Sequence, residues 1–269
     1  METFKVNGGA LEFQVRGEGP PLVLVHGSIF VDAWEPMLSH ARLLASYRVV
    51  TLRRRGYGGS SPAQPGRTLA DEGADVVALL DHLGIERAHV GGHSLGADIV
   101  LQAVIDAPGR FSTMTLLEPG LFSVPAAAGM TQALSGVTQV FESGDHRQAM
   151  LLFLGGADGA DLMARLEKKL PDGAGEMAVA DAPALFELDL PAGSSWVLDE
   201  DATRSLRQPT LLALGSKPGP IYRESNAVIA GLLANVEQLE VANAGHFIQI
   251  EQAERVADAF AAFLKRNTS

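Results

Sequence analysis

The residues most able to do chemistry in this chain are a serine between two glycines, Gly92-x-Ser94-x-Gly96. A short apolar segment precedes this motif, and the helical pattern Asp98–Val104 follows it. Glycines on both sides of a serine allow backbone segments to approach closely in a sharp turn between a strand and a helix. Such a turn lifts the serine hydroxyl above the edge of a sheet. We therefore predict that Ser94 is a nucleophile.

A free serine hydroxyl is a poor nucleophile and needs a base within hydrogen-bond reach. His246 is the candidate, because it lies in a glycine-containing loop, Asn243–Phe247, directly after a predicted strand. An imidazole with a pKa of about 6.5 can accept the serine proton and return it at neutral pH. We predict that His246 is the base for Ser94, that His26 supports a loop, and that His93 is structural.

The composition excludes several other chemistries. The 269 residues contain no cysteine, which rules out disulfides, thiolate catalysis and cysteine-based zinc sites. The other histidines lack the spacing of metal ligands, so we predict no metal and no cofactor. A formal net charge of −11 disfavours nucleic acid and anionic membranes as partners. Without a signal-peptide core or an apolar run of about 20 residues, the chain is expected to be cytoplasmic.

The elements that must position these residues follow an α/β rhythm. Apolar runs suited to buried strands alternate with helical patterns, which predicts parallel strands joined by right-handed crossovers. We predict an α/β fold with a mostly parallel eight-stranded sheet and helices on both faces. The predicted strands are two within residues 4–16, the segment before Gly92, Leu22–Val25, Arg48–Leu52, Thr113–Leu117, Thr210–Leu214 and Val236–Val241. A helix is predicted from Ala33 to Ser46, and another is predicted to be capped by Thr68 and to run to about Leu83.

Residues 120–207 break this rhythm with helical patterns and no predicted strand. The predicted helices are Gly129–Phe141, His146–Leu154, Asp161–Leu170, Gly175–Leu188 and one near Asp199–Leu206. A helical block of about 85 residues within a sheet domain is most simply a lid over an active site. The alternative is a separate helical domain or a part of the core. We predict a core of residues 1–119 and 208–269, with 120–207 as a helical lid inserted after the strand that ends at Glu118.

Four motifs together resemble the α/β-hydrolase superfamily from the first strands to the C-terminus. They are His26-Gly27, the loop Arg54-Arg55-Gly56-Tyr57-Gly58-x-Ser60, Gly92-x-Ser94-x-Gly96 and Asn243-Ala244-Gly245-His246-Phe247. The resemblance is to the serine-nucleophile branch, since epoxide hydrolases and haloalkane dehalogenases have aspartate at the turn. It implies an α/β-hydrolase fold and an oxyanion hole formed by the N–H groups of Leu95 and Ser28. The Ser28 hydroxyl could add a third donor.

One part of the family pattern is missing. An aspartate usually follows the strand corresponding to Thr210–Leu214, but this chain has Gly215-Ser216-Lys217-Pro218 there. Glu118 follows the first strand after the helix that begins at the Ser94 turn. In zearalenone-lactonase-like enzymes and some dehalogenases, the acid of the triad comes from that position. We predict that Glu118 completes the triad, because a triad is recognised by geometry rather than sequence position. The alternative is that Glu118 only caps the lid junction.

These residues predict a serine hydrolase that cleaves a carboxylic ester or lactone through an acyl-enzyme. Apolar side chains in the predicted lid favour a medium-sized apolar substrate, and we expect Phe141 and Trp196 to bind it. The alternatives are a carbon–carbon bond hydrolase, a thioesterase, or a ligand sensor with slow turnover. The expected partner is a small-molecule substrate, bound by a monomer or homodimer.

Overall fold

The structure is a computed structural model that describes residues 1–62, 64–155 and 158–268. Its strands are β1 (Glu2–Val6), β2 (Gly9–Arg16), β3 (Pro21–Val25), β4 (Arg48–Leu52), β5 (Ala88–His93), β6 (Phe111–Leu117), β7 (Thr210–Gly215) and β8 (Val236–Val241). They form one sheet in the order β1-β2-β4-β3-β5-β6-β7-β8. The pairs β1–β2 and β2–β4 are antiparallel, and the later pairs are parallel. The predicted eight-stranded, mostly parallel sheet is confirmed.

Helices connect and cover these strands. They are α1 (Glu35–Leu38), α2 (Ala41–Leu44), α3 (Leu69–His82), α4 (Leu95–Asp106), α5 (Ala127–Glu142), α6 (His146–Gly155), α7 (Gly159–Glu167), α8 (Ala174–Ala180), α9 (Leu190–Ser195), α10 (Glu200–Ser205), α11 (Pro220–Leu232), α12 (Ile248–Glu251) and α13 (Ala253–Asn267). A π-helical turn, Ala184–Asp189, leads directly into α9. Within the described residues, no helix is long and apolar enough to cross a bilayer.

Strand β3 shows why both faces of the sheet must be covered. Its side chains are apolar at consecutive positions, and successive residues of a strand point to opposite faces. Leu22 and Leu24 pack in the core formed with α1, α2 and α13. Val23 and Val25 pack in the opposite core, formed with α3, α4 and α11. The continuous apolar run is therefore buried between two helical layers.

Local sequence rules explain where some helices begin and break. Thr68 caps α3 as predicted, with a reciprocal pair of hydrogen bonds to Asp71. The predicted helix from Ala33 to Ser46 is instead two short helices, α1 and α2. At the break, the Ser39 hydroxyl donates to the carbonyl oxygen of Pro36 (2.8 Å), a local bond that competes with the helical ladder.

We call residues 120–207 the helical segment, and residues 1–119 and 208–269 the sheet domain. Its described residues form helices α5 to α10 and the π-helical turn, with no strand among them. The predicted helix Gly175–Leu188 is divided, since α8 ends at Ala180 and Pro183 lacks the N–H group needed to continue it. Side chains of this segment pack against Phe30 and Phe247 of the loops that follow β3 and β8. The division into a core and a lid stays a prediction.

Candidate active site

The turn between β5 and α4 holds Ser94 in a strained conformation. Its φ of 53° and ψ of −129° lie in a region that side-chain-bearing residues rarely adopt. A Cβ atom on Gly96 would lie 2.5 Å from the carbonyl oxygens of Val25 and His26, and one on Gly92 would overlap the carbonyl of Gly96. Only glycines allow the chain to turn this sharply, so the motif has a direct steric explanation.

The structure brings Ser94, His246 and Glu118 together. The Ser94 Oγ atom lies 3.0 Å from Nε2 of His246. On the other side of the ring, Nδ1 lies 3.4 Å from Oε2 of Glu118. The imidazole can therefore accept a proton from the serine while a carboxylate holds its far nitrogen, which is the geometry that activates a serine nucleophile.

Sheet order explains how Glu118 reaches the histidine. β6 lies next to the serine strand β5, and only β7 separates it from β8, the strand before the histidine loop. The residue after β6 therefore emerges between the serine turn and the histidine loop. Glu118 has a φ of 53°, and its Oε1 atom accepts a hydrogen bond from the N–H of Gly215. A Cβ atom on Gly215 would lie 2.6 Å from the carbonyl oxygen of Ala244. The loop after β7 thus has no room for a side chain at Gly215, and its backbone supports Glu118 instead.

Burial opposes charge on both members of the Glu118–His246 pair. Glu118 is fully buried, and burial raises its pKa to about 8 despite the hydrogen bond from Gly215. Burial also lowers the pKa of His246, to about 3. The imidazole is therefore neutral at rest, as a general base must be, and ionisation of Glu118 decides which of its nitrogens carries the proton.

Three groups hold the histidine loop: His93, which is predicted to be structural, and Tyr222 and Glu251, which no sequence pattern singled out. The Tyr222 ring stacks on the His246 ring with centroids 3.9 Å apart and planes 13° apart. Nε2 of His93 donates to the carbonyl oxygen of His246 (2.8 Å), which gives His93 the structural role predicted for it. The Glu251 carboxylate accepts from the N–H groups of Gly245 and Phe247, both at 3.2 Å. Glu251 lies four residues after Phe247 and six after Gly245, close enough in the chain for its carboxylate to reach back to both N–H groups. This short separation is the sequence clue to its role.

The two predicted oxyanion donors, Ser28 and Leu95, both line the cavity beside Ser94. Within the described residues, no group accepts a hydrogen bond from the N–H of either residue. A Cβ atom on Gly27 would lie 3.0 Å from Cβ of Ser94, so the loop carrying Ser28 packs tightly on the serine turn. The role of these N–H groups in stabilising an oxyanion stays a prediction.

The Ser28 hydroxyl points away from the role considered for it. It donates to Oδ2 of Asp189 at 2.6 Å, so in this structure it is not free to be a third oxyanion donor. His26 supports the same loop: its Nε2 accepts from the N–H of Arg54 (3.0 Å), and its Nδ1 lies 2.6 Å from the carbonyl oxygen of Gly27. Burial, together with the nearby Arg54 charge, lowers the pKa of His26 to about 3, which keeps it neutral.

A cavity of about 580 Å³ opens above these residues. Its apolar wall combines the helical segment with loops of the sheet domain, and it includes Phe122, Ala126, Met130, Phe153, Leu154, Leu162, Leu190, Ile221 and Phe247. One polar group in the wall is the Asp98 carboxyl, which accepts from the N–H of Gly120 (3.2 Å) and whose pKa burial raises well above its usual value. A cavity of this kind accommodates a largely apolar small molecule with few polar contacts.

Phe141 and Trp196, the two predicted substrate-binding residues, are not among the residues that line this cavity. Phe141 is buried inside the helical segment and stacks on Phe186 with ring centroids 4.6 Å apart. Trp196 donates from Nε1 to the side-chain oxygen of Gln102 at 2.7 Å and packs on the core around α4. Both residues therefore pack the protein, and Phe122 and Phe153 occupy the wall in their place.

No group of three or more His, Cys, Asp or Glu side chains in the part of the chain that the structure describes is arranged to hold a metal ion. Two acidic side chains at the site are instead paired with protein groups. Glu118 faces His246 and Gly215, and Asp189 faces Ser28 and a buried arginine.

The chain is similar to known proteins over nearly its whole length. A dihydrolipoyllysine-residue acetyltransferase component of the acetoin cleaving system, from Pseudomonas putida, is 33% identical over 270 residues, covering 95% of this chain and 66% of that protein. This chain thus spans just under two thirds of that relative. A 3-oxoadipate enol-lactonase 1 from Acinetobacter baylyi is 28% identical over 272 residues, a match that covers 96% of this chain and 94% of the enol-lactonase.

Solved structures share the fold. A thermophilic esterase from Thermogutta terrifontis superposes with a TM-score of 0.79 at 22% identity, covering 99% of this chain and 97% of that one. Residues 20–253 match the family described as alpha/beta hydrolase fold. Together with the strand order and the sharp serine turn, these matches show that the chain belongs to the alpha/beta hydrolase fold family.

Proposed function

We propose that this chain is a serine hydrolase that cleaves a carboxylic ester or lactone of a medium-sized apolar substrate through an acyl-enzyme. The observation that carries the proposal is the hydrogen-bonded series Ser94–His246–Glu118 at the base of an apolar cavity. Family membership supports hydrolysis, and the similarity to an enol-lactonase supports an ester or lactone as the bond cleaved.

The reaction follows from the geometry. Ser94 Oγ attacks the carbonyl carbon while Nε2 of His246 takes its proton, and the negative charge on the carbonyl oxygen faces the N–H groups of Ser28 and Leu95. The leaving alkoxide then takes the proton from His246, which leaves an acyl-serine. Water attacks this ester with His246 again as the base, and the free acid departs. In a lactone the leaving hydroxyl remains part of the product, so ring opening gives a hydroxy acid.

The substrate class follows from the cavity wall. Apolar side chains of the helical segment and of the first turn of α11 form most of the wall around the serine. Apart from Ser94 and His246, the polar residues that line it are Ser28, Asp98, Asp189, Lys217 and Tyr222. Fully burying an apolar side chain of an acyl group is worth about 1.5–3 kcal/mol. A wall of this composition favours acyl chains and rings over sugars or multiply charged molecules.

A fluorophosphonate probe and a substrate panel test the proposal. The probe should label the wild-type protein once, at Ser94, and Ser94→Ala should abolish both labelling and turnover, with a fall in kcat of about a millionfold. The panel contains chromogenic esters of graded chain length, several lactones, a thioester and a diketone. Labelling that survives Ser94→Ala would refute the serine mechanism, and a diketone cleaved faster than every ester would favour the carbon–carbon alternative.

A second candidate is acyl transfer. It is favoured by the 33% identical relative, whose name is that of an acetyltransferase component. The same acyl-serine can pass its acyl group to a thiol or alcohol when that molecule replaces water. Adding increasing concentrations of a small thiol during ester turnover tests this candidate. Transfer predicts that acylated thiol replaces free acid as product, whereas hydrolysis predicts free acid at every thiol concentration.

A further inference from the structure

A buried carboxylate from the helical segment lies directly behind the loop that carries Ser28. Asp189 ends the π-helical turn and is 5% exposed. Its Oδ2 atom accepts hydrogen bonds from the Ser28 hydroxyl (2.6 Å), the Tyr57 hydroxyl (2.6 Å) and Nη2 of Arg54 (2.7 Å). Its Oδ1 atom accepts from Nη1 of Arg54 at 2.9 Å. Four donors converge on one carboxylate, although Asp189 and Ser28 are 161 residues apart in the chain.

Arg54 extends this contact to the rest of the loop. Its Nε donates to the carbonyl oxygen of His26 (3.1 Å), and its Nη2 donates to that of Gly27 (3.2 Å). Asp189 and Arg54 together therefore hold three consecutive residues, His26, Gly27 and Ser28. Both charged groups are buried, and a buried pair is stable only when its remaining hydrogen-bond sites are also satisfied. Here every side-chain nitrogen of Arg54 and both carboxylate oxygens of Asp189 have a hydrogen-bond partner.

The charge of Asp189 is also balanced. Burial opposes its ionisation, but the Arg54 charge and the hydrogen bonds from Arg54, Ser28 and Tyr57 outweigh that effect and lower the pKa of Asp189. The carboxylate is thus ionised at neutral pH and paired with a guanidinium. Because its oxygens already accept four hydrogen bonds, Asp189 is not placed to bind substrate, even though it borders the cavity.

The loop needs such external support. Ile29, directly after Ser28, has a φ of 82°, a conformation that costs free energy and persists only when surrounding contacts enforce it. The π-helical turn itself packs closely on the loop after β4. A Cβ atom on Gly56 of that loop would lie 3.1 Å from side-chain atoms of Ala184 and Leu188, so there is little room between the two. A rigid carboxylate therefore meets a strained loop at the point where an oxyanion donor is required.

We propose that Asp189 is a positioning residue that orients the N–H of Ser28 toward the oxyanion by holding the Ser28 hydroxyl. The inference rests on the proposed function, because it assigns Asp189 a role in stabilising the acyl-transfer transition state. The helical segment then contributes to the chemical step as well as to the cavity wall. A backbone donor held in place before the reaction needs no reorganisation when the charge develops.

Two matched variants test this role. Ser28→Ala and Tyr57→Phe each remove one hydroxyl that donates to the same Asp189 oxygen at 2.6 Å, and both leave the Arg54–Asp189 pair intact. Ser28→Ala should lower kcat for a chromogenic ester by about 10- to 100-fold with KM within about twofold, because a displaced oxyanion donor costs less than the removal of one. Its affinity for a boronic acid, which binds as a tetrahedral adduct, should fall in parallel. Tyr57→Phe should change kcat less than about threefold.

A double-mutant cycle shows whether Asp189 acts through Ser28. Asp189→Glu keeps the charge opposite Arg54 but displaces the carboxylate by one methylene. It should lower kcat about tenfold alone and add almost nothing in the Ser28→Ala background. Asp181→Asn is the control for general contact between the helical segment and the core, because Asp181 accepts from the N–H of Gly58 (3.2 Å), which lies in the loop after β4 rather than in the Ser28 loop. It should leave kcat and KM unchanged.

The outcomes separate this inference from the function on which it rests. A wild-type protein that the fluorophosphonate does not label at Ser94 and that cleaves no ester would refute both. A labelled, active wild type refutes only the role of Asp189 if Ser28→Ala and Tyr57→Phe have equal effects. The role of Asp189 is also refuted if Asp189→Glu lowers kcat by the same factor in the Ser28→Ala background as it does alone. Thermal unfolding of each variant checks that losses in kcat are not losses of folded protein.

Discussion

The sheet domain and the helical segment contribute to the cavity in different ways. Ser94, Glu118 and His246 follow the carboxyl ends of three parallel strands, where the backbone is held by the sheet. The described part of the helical segment supplies mainly apolar side chains to the same cavity. The three side chains of the proposed triad thus come from turns and loops held by the sheet. Most of the apolar side chains that would surround a substrate come from the helical segment.

Backbone strain follows the same division. Among the described residues, the non-glycine positions with positive φ are Ile29, Ser94, Glu118 and Asn243, and all lie in sheet-domain loops around the site. A sheet buried on both faces can enforce such conformations, which cost about 1–3 kcal/mol each. On the proposed function, the strands position the reacting groups and the helical segment shapes the cavity for the substrate, with Asp189 as the proposed link between them.

After the loss of Ser94 itself, the largest effect should come from Glu118→Gln, which tests the contribution of the strands to the site. Glutamine keeps the acceptor for Gly215 but turns an N–H group toward Nδ1 of His246, so that Nε2 carries the proton and cannot accept one from Ser94. We expect kcat to fall by about ten-thousandfold, as for the equivalent change in a known triad. Steady-state kinetics measures it, and thermal unfolding verifies the fold.

Glu224→Gln is the control for this change. Its carboxylate accepts from the N–H of Ala126 (2.8 Å) and lies outside the triad, so kcat should stay near the wild-type value. A Glu118→Gln variant within about tenfold of the wild type would remove Glu118 from the triad, because loss of the orienting acid costs far more.

The pH profile should show the next largest effect. Protonated Glu118 places the proton on the wrong imidazole nitrogen, just as glutamine does, so the active form has Glu118 ionised. Burial raises the pKa of Glu118 to about 8. We therefore expect kcat/KM to rise about tenfold per pH unit below that value and to level off above it. Initial rates with a hydrolytically stable ester measure the profile, and a flat profile from about pH 6 to pH 9 would contradict it.

Phe122→Ala tests the helical side of the comparison. Phe122 lines the cavity, so its loss should alter the preference among ester chain lengths by about tenfold while the rate of fluorophosphonate labelling stays nearly constant. Phe141→Ala is the matched control, since Phe141 is buried against Phe186 and is not part of the wall. It should reduce the free energy of unfolding by about 3–5 kcal/mol without changing chain-length preference. If both variants shifted chain-length preference equally, lining the cavity would have no special effect on selectivity, and the prediction would be wrong.

Trp196→Phe should have the smallest effect. It removes the hydrogen bond to Gln102 and keeps most of the ring, which costs about 1 kcal/mol of stability. Because Trp196 does not line the cavity, kcat and KM for every ester in the panel should remain at wild-type values. Chemical denaturation and steady-state kinetics measure the two quantities. A change in substrate preference would place Trp196 at the substrate after all.

The features determined by the sequence alone are those whose physical cause lies within a few residues. The apolar run of β3 requires burial on both faces, and Gly92 and Gly96 permit the sharp turn at Ser94 because any side chain there would clash. Thr68 begins α3 through a bond three residues away. Periodicity, capping and steric exclusion act locally, so these predictions needed no knowledge of the rest of the chain.

Tertiary structure decided the contacts between distant residues. Glu118 and His246 are 128 residues apart, and their meeting depends on β6 and β8 lying on either side of β7 in the sheet. Motif resemblance pointed to Glu118, but no local pattern indicated its support from Gly215. Asp189 and Tyr222 had no sequence signature either, and the choice of Phe141 and Trp196 failed for the same reason. An apolar side chain in a helix looks alike in sequence whether it faces a cavity or a core, and only packing distinguishes the two.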